Sequence, residues 1–176
     1  MKPLQSYINE SINEAQTFPL VGALDTKRLI MYAAKFDVNK PDGKDWDGWY
    51  NVLVDPEWAE KHKPLVKKFC DLCKRIVACK DIEMFHQELN YYYSFTDTLD
   101  GGYEYDDLCS EIGVKGGDYH LYYCTDGDDG EFFNMVTSTP KGKKLIDEFV
   151  KMTHDPAGWD IETETIPTPE ELGYKD

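Results

Sequence analysis

An α+β fold is predicted: a single domain in which an antiparallel sheet of hairpins packs with several helices. Three observations lead there. Two Pro-initiated starts, at Asp55-Pro56 and Thr139-Pro140, precede apolar residues recurring at three- and four-residue spacing, the mark of helices with one buried face. Two runs rich in aromatic and β-branched residues, 119–124 and 131–136, flank a glycine-rich acidic turn and read as a hairpin. No regular βαβ alternation joins them, which excludes a parallel α/β sheet. The chain has 176 residues, 41% of them hydrophobic, enough for one core that buries roughly 70% of the unfolded surface without a disulfide or metal.

The elements follow in order. Leu4, Tyr7, Ile8 and Ile12 give an amphipathic helix over 1–16. Residues 25–32 fit helix and strand equally. A polar loop over 39–48 leads to an expected strand at 49–54, where Trp49, Tyr50, Val52 and Val54 cluster. Asp55 caps and Pro56 opens a helix, because proline lacks the amide that would go unpaired in the first turn. Pro64 breaks or restarts it, and Leu65, Phe69, Leu72, Cys73, Ile76 and Val77 then share a face. Residues 81–89 are helix-compatible, and 91–96 read as a strand ending near Gly101 and Gly102. Asp106 and Asp107 start a short helix that Gly113 closes. Leu145, Ile146, Phe149 and Val150 mark the last long helix. With no repeat or internal linker, the core domain spans 17–154. Prolines and acids mark 155–176 as an acidic C-terminal tail, with one edge strand expected at 161–165.

The N-terminal segment also resembles the capsid-targeting peptides of internal head proteins in T4-like tailed phages. Those begin Met-Lys, carry an aromatic and aliphatic helix, and end at an Ile/Leu-x-Glu processing site. Ile8-Asn9-Glu10 and Ile12-Asn13-Glu14 both fit that site. The resemblance implies a phage-encoded or packaged protein and covers about 14 residues.

Charge is the most informative property. The formal net charge is −15, from 34 acids and 19 Lys plus Arg. Nucleic-acid binding needs concentrated cations, so a general binder of nucleic acid is excluded. The acidity is local: residues 97–131 hold eleven acids and one base, residues 155–176 seven acids and one base, and the remaining chain is nearly neutral. Residues 61–80 hold seven bases against one acid. Eleven carboxylates cannot all be paired by one nearby lysine, so many must face water or a basic partner. Tyrosines lie among them, and tyrosine offers a flat contact surface with a polar tip. Expected partner-binding residues are Asp100, Asp106, Asp107, Asp126, Asp128, Asp129, Glu131, Tyr103 and Tyr105.

Motifs for chemistry are weak by comparison. Cys70, Cys73, Cys79 and His86 are zinc-ligand types, but two cysteines three apart on a helix make no zinc knuckle, and core packing is expected. Residues 37–43 resemble the opening of a calcium loop, yet Pro41 is inserted and Gly48 stands where the ligand Glu belongs. His120, between Tyr119 and Leu121, is expected to be packed rather than a general base. No catalytic elbow, phosphate loop or His-pair metal motif occurs, so no metal and no cofactor is expected.

Five cysteines without framework spacing, no apolar leader and no ~20-residue apolar run predict a soluble, cytoplasmic protein with reduced thiols. The expected function is that of a non-enzymatic acidic binding protein, phage-encoded, which inhibits a nucleic-acid-processing or host-defence protein by occupying its basic groove as a DNA mimic does. The partner is a basic protein surface, with self-association through the basic helix at 61–80 also open. The alternatives are a packaged or structural virion protein and a small metal-dependent enzyme.

Overall fold

The computed structural model describes residues 29, 56–87, 94–124, 132–153 and 161–174. The helix expected at 1–16, the segment 25–32 apart from Leu29, the strand expected at 49–54, the calcium-like sequence at 37–43 and the turn expected within 125–131 lie outside the described residues.

Helix α1 (Pro56–Lys61) starts at the expected proline. After a turn at His62 the chain re-enters helix α2 (Lys63–Val77), with Pro64 in its first turn. Proline is tolerated there because that amide has no intrahelical partner. The face of α2 formed by Val66, Phe69, Cys70, Leu72, Cys73, Ile76 and Val77 is buried. Strand β1 (Glu83–Gln87) follows, where a helix-compatible segment was expected. Five residues are too few to stabilise a helix alone, whereas β3 offers a full antiparallel ladder, from Glu83 opposite Val136 to Gln87 opposite Phe132.

Residues 95 and 96, expected in a strand, instead open helix α3 (Phe95–Asp100). Ser94 decides this: its Oγ accepts from the Asp97 amide at 3.1 Å, an N-cap that a strand reading overlooks. Helix α4 (Tyr105–Ile112) ends at Gly113, whose φ of 67° is left-handed and suits only glycine at low cost. The expected hairpin is present as β2 (Tyr119–Cys124) and β3 (Phe132–Thr137). Helix α5 (Pro140–Thr153) starts with Thr139 Oγ1 accepting from the Gly142 amide at 3.1 Å.

Residues read as an acidic tail enter the fold. Strand β4 (Ile161–Thr165) pairs with β2, and Ile166 behind it is fully buried. Ile161 and Ile166 bracket the acids, and that apolar pair holds the segment in the domain. The sheet is four-stranded and antiparallel, in the order β1-β3-β2-β4.

Side-chain alternation along the strands gives the sheet two different faces. Met84, Leu121, Met135 and Ile161 form a core with α2 and α5, where the Phe69 and Phe149 rings lie 6.3 Å apart. Val136 on the other face packs with Phe95, Tyr105, Leu108, Ile112, Val114 and Ile166, and so with α3 and α4. The result is three layers, with α2 and α5 on one side of the sheet and α3 and α4 on the other.

Candidate functional site

The α3–α4 layer carries the site. Phe95, Thr98, Tyr105, Leu108 and Ile112 point to the sheet, so helical geometry turns Asp97, Asp100, Asp106, Asp107 and Glu111 outward, joined by Glu104 at the helix entry. All six are exposed. Asp97, Asp106 and Asp107 lie in first turns, where the helix dipole favours negative charge. None of the six forms an ion pair among the described residues, where lysine and arginine pairs join Lys63 to Glu60, Arg75 to Glu148, Lys141 to Asp81 and Lys143 to Asp147.

The C-terminal segment completes this face. Tyr105 Oη donates to the Pro167 carbonyl at 2.6 Å. Burial, with Cys109 and the Asp106 and Glu170 carboxylates adding to it, pushes the Tyr105 pKa up to about 12, so it stays a donor. Thr168 and Glu171 cap each other: the Thr168 amide donates to Glu171 Oε2 at 2.8 Å and the Glu171 amide to Thr168 Oγ1 at 3.3 Å. The turn they hold leaves Leu172 39% and Tyr174 52% exposed, with the Tyr174 ring 6.4 Å from that of Tyr105. Two exposed large side chains thus stand on the C-terminal turn, with Tyr174 next to the Tyr105 that begins the acid-bearing α4.

Beneath the layer, the second face of the sheet is polar. His120 Nε2 shares a 2.7 Å hydrogen bond with Asn134 Oδ1, and both residues are buried. Glu164 reaches the start of α3, accepting from the Phe95 amide and, at 3.1 Å, from Thr96 Oγ1. His120 Nδ1 lies 3.8 Å from Glu164 Oε1. Burial raises the Glu164 carboxyl, but the hydrogen bonds and His120 outweigh it and hold the group below the ordinary value of 4.5. Neighbouring Glu162 has no such donors among the described residues, and burial together with Asp97 and Glu164 raises its value.

A carboxyl held low in the fold stabilises it while ionised. That contribution is complete above 4.5 and disappears as pH falls through the lower folded value. Glu164→Gln is therefore expected to lose about 2 kcal/mol at neutral pH and to flatten the acid limb of the stability curve, read by thermal melts from neutral to acid pH. An unchanged acid limb would show that Glu164 does not tie α3 to the sheet.

Of the expected contacts, Asp100, Asp106 and Asp107 come together on this face. Tyr103 is half-buried at its edge. Tyr105 is corrected: only 8% exposed, it packs edge-on against Phe95 at 5.6 Å and belongs to the core beneath the acids. Asp126, Asp128, Asp129 and Glu131 lie outside the described residues. Leu172, Tyr174 and Glu164 were not foreseen, because prolines and acids around them read as a tail. The alternation from Ile161 to Thr165 ending in Ile166 was the available signal.

The basic helix is on the far side. Helices α2 and α5 together carry nine Lys and Arg against three acids, and the sheet separates them from α3 and α4. Intramolecular neutralisation of the acidic layer by that helix is ruled out by this placement.

Other chemistry finds little support. Cys70 and Cys73 are buried in the core; burial pushes Cys70 up to about 11 and Cys73 well above its usual value, so neither offers a thiolate. Among the described residues no three His, Cys, Asp or Glu gather as a metal site, and no helix is long and apolar enough to cross a membrane. A groove of about 360 Å³ at one end of the sheet, between the loop after α4 and the turn that follows β3, is lined by Lys80 and Lys115 but also by Asp81, Glu83 and Asp118, which leaves it no preference for one sign of ligand. Comparison with protein families, with curated proteins and with solved structures finds no match.

Proposed function

We propose that the protein is a non-enzymatic binding protein whose acidic layer occupies the basic groove of a nucleic-acid-processing or host-defence protein, as a DNA mimic does. The observation that carries this reading is the set of six exposed carboxylates on α3 and α4 with no ion pair among the described residues. Carboxylates on rigid helices present negative charge at fixed spacing, and long-range attraction steers such a surface to a cationic groove. Leu172 and Tyr174 supply the desolvated contact that charge alone lacks. The N-terminal resemblance to phage capsid-targeting peptides supports a phage-encoded origin, with a bacterial partner.

The reading is tested by capture from a bacterial lysate on immobilised protein at low and at high salt. A basic nucleic-acid-binding or defence protein retained at low salt and released at about 1 M, where the screening length is only ~3 Å, is expected. Retention of nothing, or only of acidic proteins, would overturn it.

A further inference from the structure

Among the described residues, the polar face of the sheet holds a buried nitrogen that makes no hydrogen bond. His120 is 2% exposed, and Asn134 Oδ1 accepts from its Nε2 at 2.7 Å, which puts a hydrogen on that nitrogen. The other ring nitrogen, Nδ1, has no hydrogen-bond partner. It lies 3.8 Å from Glu164 Oε1, the same oxygen that accepts from the Phe95 amide, while Glu164 Oε2 accepts from Thr96 Oγ1. One carboxylate therefore joins the ring on β2 to the first residues of α3. Register places Glu164, His120, Val136 and Glu83 side by side across the sheet. The other titratable groups around the ring are Glu162 from β4, Tyr122 on β2, Asp118 just before β2, Asp97 from α3, and Tyr105 and Cys109 from α4, the last two held protonated by burial. No lysine or arginine occurs in the four strands, α3 or α4, so a positive ring would meet carboxylates from these elements and no competing cation.

We propose that the proton on His120 Nδ1 is a switch that clamps α3 to the sheet. With it, the ring carries two N–H groups, one for Asn134 and one for Glu164, and ring and carboxylate close from 3.8 Å toward the ~2.8 Å of a charge-assisted hydrogen bond. Without it, the Nδ1 lone pair faces the carboxylate oxygen. Both are then acceptors, and a buried acceptor left without a donor is costly. The carboxylate moves off and its hold on Phe95 and Thr96 weakens with it. Histidine changes charge between about pH 5 and 8, so the clamp loosens as pH rises through that range. The acid side has its own limit, because Glu164 must stay ionised and loses its charge below the ordinary value of 4.5. The clamp is strongest between the two titrations. Asp97 and Asp100 ride on α3, and on the reading proposed above, that α3 and α4 recognise the partner, the His120 proton sets how firmly two of the six acids are presented.

The test is made by NMR on the full-length chain. The His120 ring is followed through its nitrogen and Cε1 proton shifts, and α3 through amide exchange at Phe95 and Thr98, expressed at each pH relative to the rate of an unstructured chain. As pH rises from about 5 to 8, the ring is expected to pass from two N–H groups to one, on Nε2. Protection at Phe95 and Thr98 is expected to fall by at least about fivefold with the same midpoint, while that of Ile146 in α5 changes by less than about twofold. His120→Gln is expected to abolish this step and to keep the loss of protection at acid pH that belongs to Glu164. A ring that does not change its protonation across the range overturns the proposal. So does a neutral ring with its hydrogen on Nδ1, since the carboxylate then keeps its donor, or a titrating ring with no change at Phe95 and Thr98. A step that survives in His120→Gln overturns it as well, and should that variant fail to fold, the wild-type midpoints decide alone. No partner enters these measurements, so failure here leaves the lysate result standing, and the reverse.

Discussion

Reversing Asp100, Glu104, Asp106 and Asp107 to lysine is expected to weaken binding to the captured basic partner by about a hundredfold to a thousandfold. The change moves the layer from six negative charges to two negative and four positive. Every lost attraction becomes a repulsion against the same groove. A surface pair contributes up to ~1 kcal/mol, so four lost pairs and four new clashes reach the ~3 to 4 kcal/mol that such a loss in affinity requires. Most of the early effect should appear in the association rate and shrink as salt is added, since steering is long-range and screened. All four side chains are exposed, so the fold should survive. Lysines in the first turn of α4 oppose its dipole, at about 1 kcal/mol in total. A melt compared with the matching Asn and Gln variant separates that cost from the binding loss. Equal binding by the reversed protein would remove the acidic layer from any role in recognition.

Gly142→Ala is expected to destabilise the protein by about 3 kcal/mol or more, or to prevent folding. Gly142 is buried in the first turn of α5, against Thr137 at the end of strand β3. A Cβ there would lie 2.0 Å from Thr137 Oγ1, 2.7 Å from its Cβ and 3.0 Å from its Cγ2. Thr137 cannot swing away cheaply. Its hydroxyl donates to the Asp81 carbonyl at 2.6 Å and accepts from the Thr139 amide at 3.2 Å, which ties β3 to the loop before β1 and to the cap of α5. The added methyl must push α5 off the sheet or break these bonds. Urea denaturation of the two proteins checks this. A Thr137→Ala companion is expected to recover only part of the loss, because the Thr137 Cβ remains in the way. A stability within about 0.5 kcal/mol of wild type would show that α5 does not pack this closely.

Much of this architecture was legible because local signals and tertiary needs agreed. The Asp55-Pro56 and Thr139-Pro140 starts, Gly113 as a helix stop and the 119–124 strand each have a physical cause contained within a few residues. The failures share another cause. Glu83–Gln87 carries no strong strand pattern and becomes a strand because β3 has a free edge, which a distant segment supplies. Ser94 caps α3, but the tyrosines before it read as strand, and a single hydroxyl settled the matter. The acidic layer was foreseen as a charge count and partly as residues. That Tyr105 lies under the acids and Tyr174 over it depends on the return of residues 161–174 to the sheet, a contact with Pro167 across 62 positions that no local pattern encodes. The separation of acid from base by the sheet was beyond reach for the same reason. Charge can be counted along a chain, but which face each helix covers follows from strand order.

The central claim is that recognition runs through the α3–α4 layer and the C-terminal turn beside it. Hydrogen–deuterium exchange of the protein with and without its captured partner tests this most directly. Slower exchange at 95–112 and 168–174, with 63–77 unchanged, is the predicted result. Protection confined to 63–77, or none in either region while the complex holds, would contradict it.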